Sequence, residues 1–322
     1  MVESDHDLFF PRSVLDEARR VAEWNCGKSA PDTFNILILG ESGTGKERLA
    51  RFIHDESVKH DKGGGKFQVI HCAGLPSSLL QAELFGHVKG AFTGAVKDRK
   101  GLMAEAEGGT LFLDEIGDIR LEDQAVLLRV IQKRVYTPVG SNVPKTLDAR
   151  IITATNRDLP RDVKEGRFRE DLFYRIQQFT LRLPPLRETP DILERMVDKL
   201  SRNFGYTLTE GAKRIALTYG WPGNKRELEH ALRLFRLYQQ DGRVGENILR
   251  MYCERHNTLP QDSSPRGTVP AGFVLPDWLR KREREWVELA MEQAGGIQRK
   301  AASLLGVSPQ NLSNRLRSLG LR

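Results

Sequence analysis

Two short stretches of this 322-residue chain have the residue types and spacing for phosphoryl chemistry. GESGTGKE (40–47) matches the first seven positions of G-x-x-x-x-G-K-[ST]. Gly40, Gly43 and Gly45 let backbone N–H groups converge on phosphate oxygens, together with Glu41, Ser42 and Thr44 of the same loop. The helix expected from Glu47 onward adds a potential that favours anions, and Lys46 can reach the β- and γ-phosphates. The second stretch, TLFLDE, ends in Asp114 and Glu115. At the C-terminal end of a strand, Asp114 is placed to hold Mg²⁺ directly or through water. Glu115 can orient or deprotonate an attacking water. A glycine-rich turn or an acidic turn is commonplace alone, but the pair at this distance points to hydrolysis of a nucleoside triphosphate with Mg²⁺.

Such a site needs strands that end at one edge. FNILILG (34–40), FQVIHCA (67–73), GTLFLDE (109–115) and ARIITATN (149–156) are short apolar runs suited to buried parallel strands. Helical patterns at 13–24, Glu47–His54 and Gln124–Gln132 lie before or between them. The alternation predicts an α/β core with a parallel sheet covered on both faces. After LPPLRETPD (183–191) the strand signals stop, and Ile192–Phe204, Glu210–Tyr219, Lys225–Gln240 and Glu246–His256 read as an all-helical lid. Residues 256–272 are rich in Pro, Ser and Gly and read as a flexible linker. The expected division is 1–187 for the α/β subdomain, 188–256 for the lid, 257–275 for the linker and 276–322 for a small helical domain.

Composition excludes several classes. No apolar run approaches the ~20 residues that span a bilayer, so no membrane role is expected. The acidic MVESDHDLFF lacks a basic stretch followed by an apolar one, so no secretory leader is expected. Three cysteines, Cys26, Cys72 and Cys253, lie far apart without metal-ligand spacing, which suits reduced thiols in a cytoplasm. Net charge is +7, and residues 277–322 hold nine Lys/Arg against five Asp/Glu. A basic tail can be a merely solvated face, but here it coincides with helix-turn-helix spacing in GGIQRKAASLLGVSPQNLSNRLRSLGLR (295–322). Gln298–Leu305 forms the first helix, with Ala301 and Ala302 at a close crossing. Gly306 and Val307 make the turn, Ser308 caps, and Pro309 opens the second helix. Leu312, Leu316 and Leu319 face inward. Gln310, Asn311, Ser313, Asn314 and Arg315 are left to read base edges or hold phosphates.

Between the two phosphoryl motifs stands GAFTGA, residues 90–95. With it, the chain resembles the bacterial enhancer-binding proteins, the AAA+ activators of sigma-54 RNA polymerase, from about residue 8 to the end. In that family this hexapeptide engages sigma-54, which assigns the contact to Gly90, Ala91, Phe92, Thr93, Gly94 and Ala95. The small flanking residues free the backbone, and an accessible Phe92 suits capture of an apolar surface. The resemblance makes the triphosphate ATP, and it implies more. Thr155 and Asn156 would be the first sensor of the γ-phosphate. Arg169 and Arg175 of GRFREDLFYR (166–175) would reach a neighbouring subunit's nucleotide, which implies a ring, a hexamer of this chain or one mixed with a paralogue. The competing reading pairs these arginines locally with Glu170 or Asp171. Arg226 of WPGNKREL (221–228) would be the second sensor, reaching phosphate from the lid. The C-terminal unit resembles the Fis-type DNA-binding domain, whose helix corresponding to Trp278–Gln293, with Trp286, Leu289 and Ala290, pairs two copies on enhancer DNA.

Three positions depart from the pattern. Glu47 replaces the general Ser/Thr, as is common in this family, and leaves the Mg²⁺ ligand set partly open. His71 stands where the family usually has an Asn that restrains the catalytic Glu. Val88 stands where Glu often precedes the loop. The phosphate loop begins at Gly40, so the expectation is a short form without a sensor domain, like the phage-shock activator and the Hrp-type activators of type III secretion, controlled by an inhibitory regulator protein or a second subunit. Two other readings compete: a DNA-bound repressor with a vestigial ATPase, and an AAA+ remodeller of another DNA-bound protein.

Overall fold

A computed structural model describes residues 8–25, 33–60, 65–74, 76–256, 284, 287–288, 290–291, 294–304, 307, 309–319 and 321. The chain divides into two compact units, 1–256 and 257–322. In the first, helix α1 (Arg12–Asn25) buries Val14, Leu15, Ala18, Val21 and Ala22 along one stripe. The chain continues through β1 (Ile36–Leu39), α2 (Lys46–His60), β2 (Phe67–His71), α3 (Ser77–Phe85), the pair β3 (Gly86–His87) and β4 (Arg99–Lys100), α4 (Leu102–Glu105) and β5 (Thr110–Asp114). Then come α5 (Leu121–Lys133), the pair β6 (Val135–Tyr136) and β7 (Lys145–Thr146), β8 (Arg150–Thr155), α6 (Leu159–Lys164), α7 (Glu170–Ile176) and β9 (Phe179–Arg182).

Five strands form one parallel sheet in the order β2-β5-β8-β1-β9. Strand periodicity divides the core in two. Ile36, Ile38, Phe112, Ile152 and Leu181 face α1, α2 and the lid. Leu37, Ile70, Leu111, Leu113 and Ile151 face α3, α5 and α7. The register pairs Leu39 with Thr155 and with Arg182, and His71 with Asp114, so these strand ends share one edge of the sheet. The fifth strand, β9, is not among the runs expected from the sequence. It is an edge strand in which only Leu181 is buried, so it shows no continuous apolar run.

The lid consists of α8 (Pro190–Asn203), α9 (Glu210–Thr218), α10 (Asn224–Phe235) and α11 (Glu246–His256), packed around the fully buried Trp221, whose Nε1 donates to Ala216 O at 2.8 Å. It is not all-helical: β10 (Thr207–Leu208) pairs in parallel with β11 (Arg243–Val244). Two residues per strand are too few to display an alternating pattern. The helix expected to run to Gln240 stops as α-helix at Phe235, followed by a 3₁₀ turn, Arg236–Tyr238.

In the second unit, helices Gln298–Leu304 and Pro309–Ser318 enclose a small core of Val287, Ala290, Ala294, Ala301, Ala302, Leu312 and Leu316. Cys26, most of the 256–272 linker, Trp278, Trp286, Leu289, Leu305, Gly306 and Ser308 lie outside the described residues. No helix among the described residues is long and apolar enough to cross a membrane.

Candidate functional site

The turn from β1 into α2 places the phosphate loop at the carboxyl edge of the sheet, and Lys46 opens the helix. Beside it lies a cavity of about 370 Å³. The loop contributes Ser42, Gly43, Gly45, Lys46 and Glu47, the strand ends His71, Asp114 and Glu115, and the lid Lys225, Arg226 and Glu229. Arg48 of α2, with Phe9 and Phe10 ahead of α1, completes the wall. Gly43 is required by close approach and Gly45 by its left-handed backbone. A Cβ on Gly43, at φ +78°, would lie 2.2 Å from Gly223 O of the lid; one on Gly45, at φ +98°, would touch the Phe10 ring at 3.4 Å.

Lys46 is buried. Its Nζ donates to Gly40 O at 3.1 Å and pairs with Glu115 Oε1 at 3.2 Å. Glu115 adopts a left-handed backbone, φ 52° and ψ 50°, and its Oε2 accepts from Asn156 N at 3.2 Å. Asp114 Oδ1 takes the Glu115 N–H at 3.1 Å, and Oδ2 lies 3.2 Å from His71 Nδ1. His71, which stands where the family usually has an Asn beside the catalytic Glu, contacts the neighbouring carboxylate instead. Registered residues of adjacent parallel strands point the same way, so His71 faces Asp114, and Glu115 turns toward Lys46 instead. Burial and the nearby Asp114 push the Cys72 thiol well above its ordinary pKa, so it is unreactive.

Glu47 is directed along α2 to Arg51, with oxygen–nitrogen distances of 3.0 and 3.2 Å, which reduces its repulsion of a phosphate. Gly40, Glu41 and Thr44 close the loop behind the cavity rather than line it. Thr44 Oγ1 donates to Glu41 O at 2.8 Å, and the Glu41 carboxylate is held bidentate by Arg187 at 2.7 and 2.8 Å. Thr155 is fully buried, its hydroxyl accepting the Arg157 N–H at 3.1 Å, while Asn156 is exposed; neither lines the cavity.

The lid closes directly on the loop. Arg226 Nη1 donates to Ser42 Oγ at 3.3 Å, and Asn224 Nδ2 donates to Ser42 O at 3.0 Å. Lys225 is buried, donates to Thr44 O at 2.8 Å and lies 4.5 Å from the Phe10 ring centre. Burial, aided by the like charge of Arg48, lowers its pKa to about 7. Arg48 itself stacks on Phe9 at 3.5 Å. Sequence reasoning missed Phe9, Phe10, Arg48, Asn224 and Lys225. A lysine beside an arginine at a helix start reads as surface charge, and only the packing of α10 on the loop reveals otherwise.

Arg169 and Arg175 do not line their own chain's cavity. Arg169 is exposed and bidentate on Asp171 at 2.8 and 3.0 Å, the local pairing that competed with the intersubunit role. That contact raises the Arg169 pKa and lowers that of Asp171. Arg175 is half-buried, and its Nε has no hydrogen-bond partner among the described residues.

The GAFTGA hexapeptide tips the hairpin formed by β3 and β4. Phe92 is 47% exposed and meets His87 edge-on at 4.9 Å, whereas Ala95 is buried. Gly90 and Gly94, at φ +84° and +100°, turn the backbone in open space. The hairpin is braced by the β6–β7 loop: Val88 N donates to Val139 O at 3.1 Å, and Val139 N to Gly86 O at 2.9 Å. In the C-terminal unit Gln310, Asn311, Asn314 and Arg315 are exposed and Ser313 is half-buried, whereas Leu312 and Leu316 of the same helix are buried.

Residues 14–182 match the family model of the sigma-54 interaction domain, and residues 279–319 that of the bacterial regulatory proteins of the Fis family. The chain is 43% identical over 316 residues to the Nif-specific regulatory protein of Azotobacter vinelandii, covering 96% of this chain and 57% of that one. It is 39% identical over 306 residues to the anaerobic nitric oxide reductase transcription regulator NorR of Citrobacter koseri, covering 91% of this chain and 60% of that one. The chain thus spans less than two thirds of the length of these relatives. Among solved structures, NtrX from Brucella abortus in complex with ATP superposes with a TM-score of 0.66 at 24% identity, covering 98% of this chain and 71% of that one. Its complex with ADP gives 0.65 at 26%, covering 96% and 67%.

Proposed function

From the premise that this chain belongs to the sigma-54 interaction domain family and ends in a Fis-family helix-turn-helix, we propose that it is an ATP-driven activator. It binds enhancer DNA and remodels sigma-54 RNA polymerase so that promoters open. The observation that carries this reading is the joint placement of a phosphate loop, a strand-end Asp114–Glu115 pair and a braced, exposed Phe92 on one scaffold. NtrX, solved with ATP and with ADP, supports the choice of nucleotide.

In this reading the loop N–H groups and Lys46 receive the triphosphate. Lys46 must leave Glu115 to do so, which frees that carboxylate to take a proton from the attacking water. Asp114 would hold Mg²⁺, which supplies charge neutralisation at the phosphates when bound. The donor set fits: Mg²⁺ takes one or two carboxylates plus substrate phosphates, and Asp114 lines the cavity beside the phosphate loop. Arg226, already on Ser42, is one short movement from a phosphate. Arg169 and Arg175, outside their own cavity, are assigned to a neighbouring subunit's nucleotide in a ring, a hexamer alone or with a paralogue. Arg169 would exchange Asp171 for phosphate oxygens. We assign Thr155 an indirect role through the β8 turn and Asn156 the sensor contact, since its N–H already holds Glu115.

The cytoplasm suits such an activity, and an inhibitory regulator protein remains our proposal for its control. The expectation of Hrp-type target genes draws no support from the Nif-specific and NorR relatives. The test is ATP-dependent open-complex formation on a sigma-54 promoter by the chain and by Phe92→Ala. The variant should hydrolyse ATP at nearly the normal rate and open no promoter. Normal opening by Phe92→Ala would remove the loop from the mechanism. Absence of ATPase activity in the unsubstituted chain would favour the repressor reading.

A further inference from the structure

The Arg169 side chain is exposed, so its aim depends on the backbone from which it projects. That backbone is held by an amide on another helix. Gln124 of α5 is fully buried. Its Nε2 donates to Ile119 O at 2.9 Å and to Arg167 O at 3.1 Å, and its Oε1 accepts the Arg169 N–H at 2.8 Å. These bonds use both amide hydrogens and the amide oxygen. Ile119 ends the turn Ile116–Asp118 that follows Glu115, so one side chain ties that turn to the segment entering α7. A charged link runs alongside it. Asp118 pairs with Arg157 at 3.2 Å, Arg157 Nε with Asp162 at 2.7 Å, and Asp162 with Arg167 Nε at 3.0 Å.

We propose that Gln124 is the positioning residue for Arg169. It fixes the backbone from which that arginine reaches the neighbouring subunit's nucleotide, and it references that reach to the turn behind the same chain's Glu115. Loss of the amide would leave the Ile119 carbonyl, the Arg167 carbonyl and the Arg169 N–H without their shared buried partner, and the 167–169 segment would shift to find others. A shift of about 1 Å at a group this far from the chemistry can cost on the order of 10²-fold in rate. The inference rests on the reading of Arg169 as an intersubunit group, and the test separates the two.

Two whole chains are mixed in equal amounts. Lys46→Ala offers Arg169 but cannot use nucleotide; Arg169→Ala keeps its pocket but offers no arginine. Restored ATP hydrolysis requires the first to serve the second. Gln124→Met is then placed on one chain or the other. On the donating Lys46→Ala chain it should lower the restored rate about tenfold or more, and on the accepting Arg169→Ala chain by less than about threefold. Equal losses in the two arrangements, or a larger loss on the accepting chain, would overturn the inference. No restoration with Gln124 intact in both chains would refute the shared pocket and the inference with it. If the Gln124→Met chains lack a cooperative thermal transition, Gln124→Glu takes their place. It keeps an acceptor for the Arg169 N–H but sets a carboxylate against the two carbonyls, and the same asymmetry is expected.

Discussion

His71 Nδ1 lies 3.2 Å from Asp114 Oδ2, and the two residues are registered partners on neighbouring parallel strands. The imidazole therefore orients the carboxylate assigned to the metal, not the one assigned to water. Losing an orienting partner of this kind typically costs about 10–100-fold in metal affinity or activity.

His71→Ala should raise the Mg²⁺ concentration needed for half-maximal ATP hydrolysis about tenfold or more, leaving the rate at saturating Mg²⁺ within about threefold. A Mg²⁺ titration of the ATPase checks this. An unchanged half-saturation point would show that the contact does not orient the metal ligand.

The Lys46–Glu115 pair, at 3.2 Å, competes with phosphate for the lysine. Glu115→Gln removes the charge that holds it. The variant should bind ATP more tightly than the unsubstituted chain and hydrolyse it about 10²-fold or more slowly. Equilibrium binding of a fluorescent ATP analogue, set beside turnover, tests both halves; weaker binding would contradict the competition.

Gly140, at φ +79°, belongs to the loop that braces the GAFTGA hairpin, and a Cβ there would lie 2.7 Å from Ala91 Cβ. Gly140→Ala should cost about 1–2 kcal/mol from the left-handed backbone and displace the hairpin. ATP hydrolysis should survive, and promoter opening should fall sharply. Thermal unfolding and an open-complex assay on the same sample measure the two effects; normal opening would mean that the brace is dispensable.

Lys225 is buried with its pKa lowered to about 7 from 10.5. Between those values the unfolded chain binds more protons than the folded one, so nucleotide-free stability rises with pH across that window and falls as pH drops toward neutrality. The slope is at most about 1.4 kcal/mol per pH unit. Lys225→Met should flatten it, so that denaturant midpoints taken near the two ends of the window differ less in the variant than in the unsubstituted chain. Parallel pH profiles would place the proton elsewhere.

In the second unit, Arg315 is exposed on the helix that buries Leu312 and Leu316. If its guanidinium meets a phosphate, Arg315→Ala should weaken DNA binding equally for all sequences and lower the slope of log affinity against log salt by about one. If it meets a base edge, discrimination at one base pair should fall by about 1–3 kcal/mol instead. Binding titrations at several salt concentrations on cognate and mismatched DNA distinguish the two.

The sequence by itself determined the α/β core, the phosphate loop, Asp114, Glu115, the GAFTGA tip and the two helices of the DNA-binding unit. Each is written in contiguous residues: an apolar run closed by glycines, a carboxylate pair at a strand's end, a leucine stripe at helical spacing. Tertiary structure decided what those residues face. Strand register, a property of two distant segments, gave His71 to Asp114. The seating of α10 on the loop buried Lys225 against Thr44 and Phe10, although its neighbours in sequence read as surface. Strand β9 stayed hidden because an edge strand needs no continuous apolar run. Gln124 lay in plain view within a helix, but the three backbone groups that its buried amide unites come from distant segments and converge only in the folded chain.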